Sequence, residues 1–230
     1  MPKQTQKNKE TIKGTITKEQ WYMIVGCFGY ALCLIADYIL ELLPNGKITW
    51  EIQSSSEKLL HILEGTSTTR FQISGIMGVL SMTMIAVGLL GIAFYMKSFV
   101  PRTAIVLEIF GVSSAVMGAV FHLISTSNMW LIVRMGLSET SYSVATDFVN
   151  VHKIILIADA ICYTIMSIAL FIPIIMKKTV LPRWACIFNV ILLTFALSPL
   201  GLSGNFSLCG LIMCLGLVVL SFIYKKPKVL

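Results

Sequence analysis

Long apolar runs alternate with short polar stretches along most of the chain. Six such runs cover residues 21–43, 71–96, 103–125, 151–176, 181–200 and 206–224. A hydrocarbon core about 30 Å thick takes about 20 residues of helix, so each run is long enough to cross one. Backbone inside lipid must satisfy its own hydrogen bonds, and these segments are too long for barrel strands, so each is expected as a helix. The pattern predicts an all-α polytopic transmembrane helix bundle of about six spans. Pro199 and Gly201 cut the fifth run short, and Pro173 predicts a kink near the end of the fourth. Residues 1–20 are polar and Lys-rich and read as a disordered basic cytoplasmic tail, residues 21–224 as the transmembrane bundle, and residues 225–230 as a second basic cytoplasmic tail. The first apolar run closes on Glu41-Leu42-Leu43-Pro44 rather than on a small-residue cleavage site, as an uncleaved anchor does.

Composition agrees with lipid. Of 230 residues, 56% are hydrophobic and only 13% charged, against about a quarter charged in soluble domains. The net charge of +7 is not that of a nucleic-acid binder, since no basic stripe or aromatic RNA-binding motif accompanies it. Its distribution gives a better cause. The two tails and the turns at 97–102 and 177–183 hold thirteen of the eighteen Lys and Arg residues. This asymmetry places both termini in the cytoplasm of a cell-membrane protein and the long loops 44–70 and 126–150 outside. Trp50-Glu51-Ile52, residues 59–63 and residues 130–133 are amphipathic. They read either as a roof lying on the outer leaflet or as ordinary loop packing.

Two further patterns bear on architecture. The turn Met96-Lys97-Ser98-Phe99-Val100-Pro101-Arg102 resembles Met176-Lys177-Lys178-Thr179-Val180-Leu181-Pro182-Arg183, and continuing the match sets Glu108 opposite Asn189. Either spans two–three and four–five are duplicated hairpins, or basic Pro turns recur because they stop translocation and start helices well. The six cysteines, Cys27, Cys33, Cys162, Cys186, Cys209 and Cys214, lie within apolar runs without C-x-x-C spacing. They read as small packing residues.

Ionisable residues within spans are costly and mark function or a specific pairing. Asp37 and Glu41 are i, i+4 on the first span, His122 is near the end of the third, and His152 and Asp159 are i, i+7 on the fourth, with Lys153 beside them. With Arg70 at the start of the second span, all of these fall in the outer half. Glu108 lies at the inner side, where it is expected to pair with Arg102 or Arg183. The outer group reads as one cavity open to the outside, holding a small or lipidic molecule. Two other readings compete: ion pairs that lock the bundle, and a metal-assisted site. In the last, His122, His152 and Asp159 would hold Zn²⁺, with His61 as a further imidazole. That set resembles the ligands of seven-span membrane hydrolases such as alkaline ceramidases, whose seventh span and His-rich terminal motif are absent from this sequence.

The segment Ala36-Asp37-Tyr38-Ile39-Leu40 followed by Pro44, then Arg70-Phe71 opening the second span and Phe121-His122 closing the third, resembles a group of uncharacterised bacterial membrane proteins of about six spans. The resemblance implies the fold and draws attention to Asp37, Arg70 and His122, and it implies no activity. The function expected is therefore a multi-pass membrane protein that binds or transports a small or lipidic molecule, with membrane lipid as partner, no nucleic acid and no cofactor. The alternatives are a membrane-embedded lipid hydrolase using Zn²⁺ and a regulatory or immunity-type interaction protein.

Overall fold

The computed structural model describes residues 16–224, so the basic tails expected over 1–20 and 225–230 lie, apart from residues 16–20, outside the described residues. In chain order the elements are α1 (Lys18–Glu41), a hairpin of β1 (Leu42–Leu43) and β2 (Gly46–Lys47), α2 (Trp50–Gln53), α3 (Ser56–Leu63), α4 (Thr68–Lys97), α5 (Pro101–Arg134), α6 (Glu139–Ile175), α7 (Val190–Leu197) and α8 (Asn205–Ile223). Five helices, α1, α4, α5, α6 and α8, are long and apolar enough to cross a membrane. The molecule is an all-α bundle in which α1 lies between α4 and α8, and α5 between α4 and α6.

The starts of α1 and α6 follow capping chemistry rather than hydropathy. α1 begins inside the expected tail because Thr17 and Gln20 form a reciprocal cap: each backbone N–H donates to the other's side chain, at 2.9 and 3.3 Å. The expected outer loop 126–150 is mostly helix. α5 runs on to Arg134 and α6 starts at Glu139, which the Ser138 side chain caps by accepting from the Ser141 amide at 3.2 Å. At 34 and 37 residues these helices measure about 51 and 55 Å, well beyond a 30 Å hydrocarbon core. Their surplus stands at one end of the bundle. There Met129, Ile132 and Ala145 form a second apolar core with Leu59, Ile62 and Leu63 of α3.

This end is the cap. Asn45 in the hairpin turn donates to the His61 and Glu64 carbonyls at 3.3 and 3.0 Å, which ties the hairpin to the last turn of α3. Tyr142 of α6 donates its hydroxyl to the Gln53 carbonyl at 3.0 Å, which fixes α2. α2 and α3 thus roof the bundle, with Trp50 left on the surface at 69% exposed, whereas residues 130–133 are the last turns of α5 rather than a separate segment.

The fifth apolar run is broken rather than one helix. A 3-10 turn over Arg183–Phe188 leads to Asn189, and only then does α7 start. Asn189 causes the break: its side-chain oxygen accepts from the Ile191 amide at 3.1 Å, capping α7, and from the Ser167 hydroxyl at 2.8 Å. The segment still leads from the end of α6, where Arg183 donates to the Ile175 carbonyl at 3.0 Å, to the cap, where Lys47 donates to the Gly201 carbonyl at 2.5 Å. Pro173 lies within α6, which runs on for two residues beyond it.

The tightest seam joins α1 to α4. A Cβ on Gly26 would stand 2.5 Å from the Cα of Gly88, so the two backbones touch there. Small residues let helices approach this closely, and close approach supplies van der Waals contact where lipid gives no hydrophobic drive.

Candidate functional site

Below the cap, α1 carries Cys33, Asp37 and Glu41 at i, i+4 and i+8, one stripe turned towards the bundle interior. Asp37 meets residues from two other helices. Its Oδ2 accepts from the Ser207 hydroxyl of α8 at 2.6 Å, and its Oδ1 stands 3.6 Å from Nδ1 of His122 on α5. α4 completes the enclosure: its Ser74 carbonyl lies 3.2 Å from His122 Nε2, and the Ser74 hydroxyl donates to the Ala36 carbonyl at 2.8 Å. The His122 ring lies against Gly78, where any side chain would overlap it. Cys33 is 1% exposed and His122 7%.

A carbonyl can only accept, so a hydrogen bond between it and Nε2 of His122 requires the proton on Nε2. In neutral imidazole Nδ1 is then an acceptor, and it faces a carboxylate oxygen. The gap of 3.6 Å exceeds the 2.7–2.9 Å of a charge-assisted hydrogen bond. Two acceptors facing each other in a low-dielectric interior need a proton or a cation between them.

Cys33 is the third member. Its sulfur, one Asp37 carboxylate oxygen and one His122 ring nitrogen all lie within 4.8 Å of one another, and no other such group of three or more His, Cys, Asp or Glu residues occurs among the described residues. The packing role expected of Cys33 is real, but the thiol is also part of the cluster. Its spacing from Asp37 was the available signal. Ser74, Gly78 and Ser207 had none, because their places depend on how helices rotate against each other.

The remaining candidates do not gather into one cavity. Arg70 donates its Nε to the Ile39 carbonyl at 2.5 Å and a terminal nitrogen to the Leu42 carbonyl, capping the free carbonyls that end α1. Glu41 sits one turn above Asp37, facing Ser203, the Gly204 backbone and Lys47. Asp159 accepts from the Ser114 hydroxyl of α5 at 2.6 Å. His152 Nδ1 pairs with the Phe148 carbonyl of its own helix at 2.7 Å and its ring packs on Phe148, while Lys153 is exposed. His122, His152 and Asp159 therefore form no common metal site, since i, i+7 spacing aligns two residues on α6 without aiming them at α5's His122. His61 is on the cap surface beside Glu64, at 3.5 Å. Among the described residues no ion pair joins Glu108 to Arg102 or Arg183.

No curated protein and no solved structure matches the chain. A family model does match, over residues 6–219 and so across the cap, the cluster and nearly all of the bundle, and by it the chain belongs to the family of unknown function DUF6796.

Proposed function

We propose that the chain is a multi-pass cell-membrane protein, with both termini in the cytoplasm and the cap outside, which binds or moves a small or lipidic molecule at the Asp37 cluster. The excess of basic residues on the tails and on the turns opposite the cap supports the orientation. One observation carries the binding reading. The Nδ1 of His122 and the Oδ1 of Asp37 face each other at 3.6 Å with the other ring nitrogen already committed to the Ser74 carbonyl. A proton shared by the pair would make it a lock; on the binding reading the positive charge between the two acceptors is instead brought by a ligand. Asp37 keeps 16% of its side chain exposed against 8% for His122, which supports an approach from the carboxylate side. The interaction-platform reading has no comparable support, and the hydrolase reading loses its ligand set with the separation of His122, His152 and Asp159.

The test is thiol accessibility in intact cells. In a background stripped of the six native cysteines, Lys58→Cys on the cap should react with an impermeant thiol reagent. With Cys33 alone retained, a small impermeant methanethiosulfonate should reach it from the same side, more slowly. Labelling of Cys33 only after permeabilisation, or never, would sink the outward-opening site.

A further inference from the structure

Resting on that reading of the site, we infer that its ligand is a divalent transition-metal ion of the Zn²⁺ class, held by Cys33 Sγ, an Asp37 carboxylate oxygen and His122 Nδ1. Tetrahedral zinc with bonds of about 2.0–2.2 Å to nitrogen and oxygen sets those two atoms about 3.4 Å apart. The observed 3.6 Å between His122 Nδ1 and Asp37 Oδ1 is close to that edge. The Cys33 sulfur lies within 4.8 Å of a His122 ring nitrogen and an Asp37 carboxylate oxygen, so a side-chain adjustment of about 1 Å closes the triangle around a metal 2.3 Å from it. Three protein ligands leave one position for water or an exchanging partner.

The surroundings are those of a metal site. A metal-bound imidazole usually donates its other ring N–H to a carbonyl or carboxylate, which fixes tautomer and orientation. Here His122 Nε2 is 3.2 Å from the Ser74 carbonyl, leaving Nδ1 free to ligate. The carboxylate is held in turn by the Ser207 hydroxyl at 2.6 Å. Charge selects the ion. Thiolate and carboxylate carry two negative charges, which a divalent ion cancels and a monovalent one does not, and an uncompensated charge at this depth is costly. A sulfur and an imidazole ligand disfavour Mg²⁺ and Ca²⁺, which take oxygen. Binding releases the thiol proton to solvent.

The experiment uses the full chain, purified in detergent, stripped with chelator and reloaded. About one equivalent of Zn²⁺ should bind, and Co²⁺ in its place should show a thiolate-to-cobalt charge-transfer band. Cys33→Ser, nearly isosteric, should abolish the band and weaken Zn²⁺ binding by about 100-fold or more. Ser207→Ala should weaken it by about 10- to 100-fold with the band intact, as loss of an outer partner does. Cys162→Ser, on α6, should change neither. Because Ser207 is no ligand, its variant reads the site even where Cys33→Ser misfolds. Binding well below one equivalent, or a band that survives Cys33→Ser, overturns the inference. If Cys33 labels from outside but Zn²⁺ neither binds nor slows the labelling, the metal inference falls and an organic cation is left for the binding site. If Cys33 never labels and no metal binds, both readings fall.

Discussion

The two sides of the bundle are built differently. On the α1–α4–α5 side, backbone meets backbone at Gly26 and Gly88, and the His122 ring rests on the bare backbone of Gly78. On the α6 side, contact is made by side chains, and only 22% of its apolar stretch is buried against 44% of that in α4. Each side holds one deep carboxylate. Asp37 collects an imidazole from α5, a hydroxyl from α8 and a thiol from its own helix. Among the described residues Asp159 has a single hydrogen-bond partner, the hydroxyl of Ser114. A carboxylate with one neutral donor is a joint between two helices, whereas one that faces an imidazole nitrogen across 3.6 Å is the one on which the proposed site rests. The difference teaches where this fold can keep polar side chains of several helices in register: beside backbones that cannot slide.

The comparison is broken most severely at the seam itself. Gly88→Val sets a branched side chain against the Gly26 backbone, and neither side can yield by a rotamer change. Overpacking usually costs about 1–3 kcal/mol and more where the neighbour is rigid, so a loss at or above about 3 kcal/mol is expected here. Ala160→Leu, a comparable gain in volume on the exposed outer face of α6, should cost little. Equal drops in folded yield and melting temperature for the two variants would remove the distinction between the two sides.

The carboxylates sharpen it. Asp37→Leu leaves the buried Ser207 hydroxyl without its acceptor, and a buried unsatisfied group costs about 1–3 kcal/mol. Asp159→Leu strands only Ser114, whose hydroxyl can turn to a carbonyl of its own helix, so a cost near the membrane average of about 0.6 kcal/mol is expected. Glu41→Leu, nearer the cap, should also stay well below Asp37→Leu. Thermal unfolding of the three variants in one detergent gives the order, and a loss for Asp159→Leu as large as that for Asp37→Leu would contradict it.

How far the sequence carried this picture depends on what each feature obeys. The apolar runs report the solvent around a helix, so the bundle was legible from them. They do not report where a helix stops. α5 and α6 outrun their apolar stretches because Thr126, Met129 and Ile132, and then Ser141 and Ala145, keep a helical spacing of buried positions into the cap. Asp37 and His122 stood out singly through their depth in the spans. Their meeting could not be read, because it depends on the rotation of α1 against α5, settled by glycines on the α4 between them. Cys33 was passed over by type, as a thiol among apolar neighbours. Asn189 showed only as a counterpart to Glu108 in the repeated turn, whereas its effect is to end one helical segment and cap the next.

The smallest effect is expected at that break, on the α6 side. Ser167 and Asn189 share two hydrogen bonds: the hydroxyl donates to the Asn189 side-chain oxygen at 2.8 Å, and the Asn189 side-chain nitrogen donates to the Ser167 carbonyl at 2.9 Å. Ser167→Ala removes only the first. The Asn189 oxygen still accepts from the Ile191 amide, and the backbone carbonyl of residue 167 is untouched, so no buried group is orphaned. Interhelical hydrogen bonds in membranes average about 0.6 kcal/mol, and the melting temperature should fall by no more than that implies. Asn189→Leu removes both bonds and the cap of α7 together, and should cost more, about 1 kcal/mol from the cap alone. Hydrogen exchange at the first amides of α7 separates the two: Asn189→Leu should speed exchange at Ile191, whereas Ser167→Ala should leave it near the unmodified rate. Faster exchange in Ser167→Ala, matching that of Asn189→Leu, would mean that the α6 contact rather than the cap holds the start of α7.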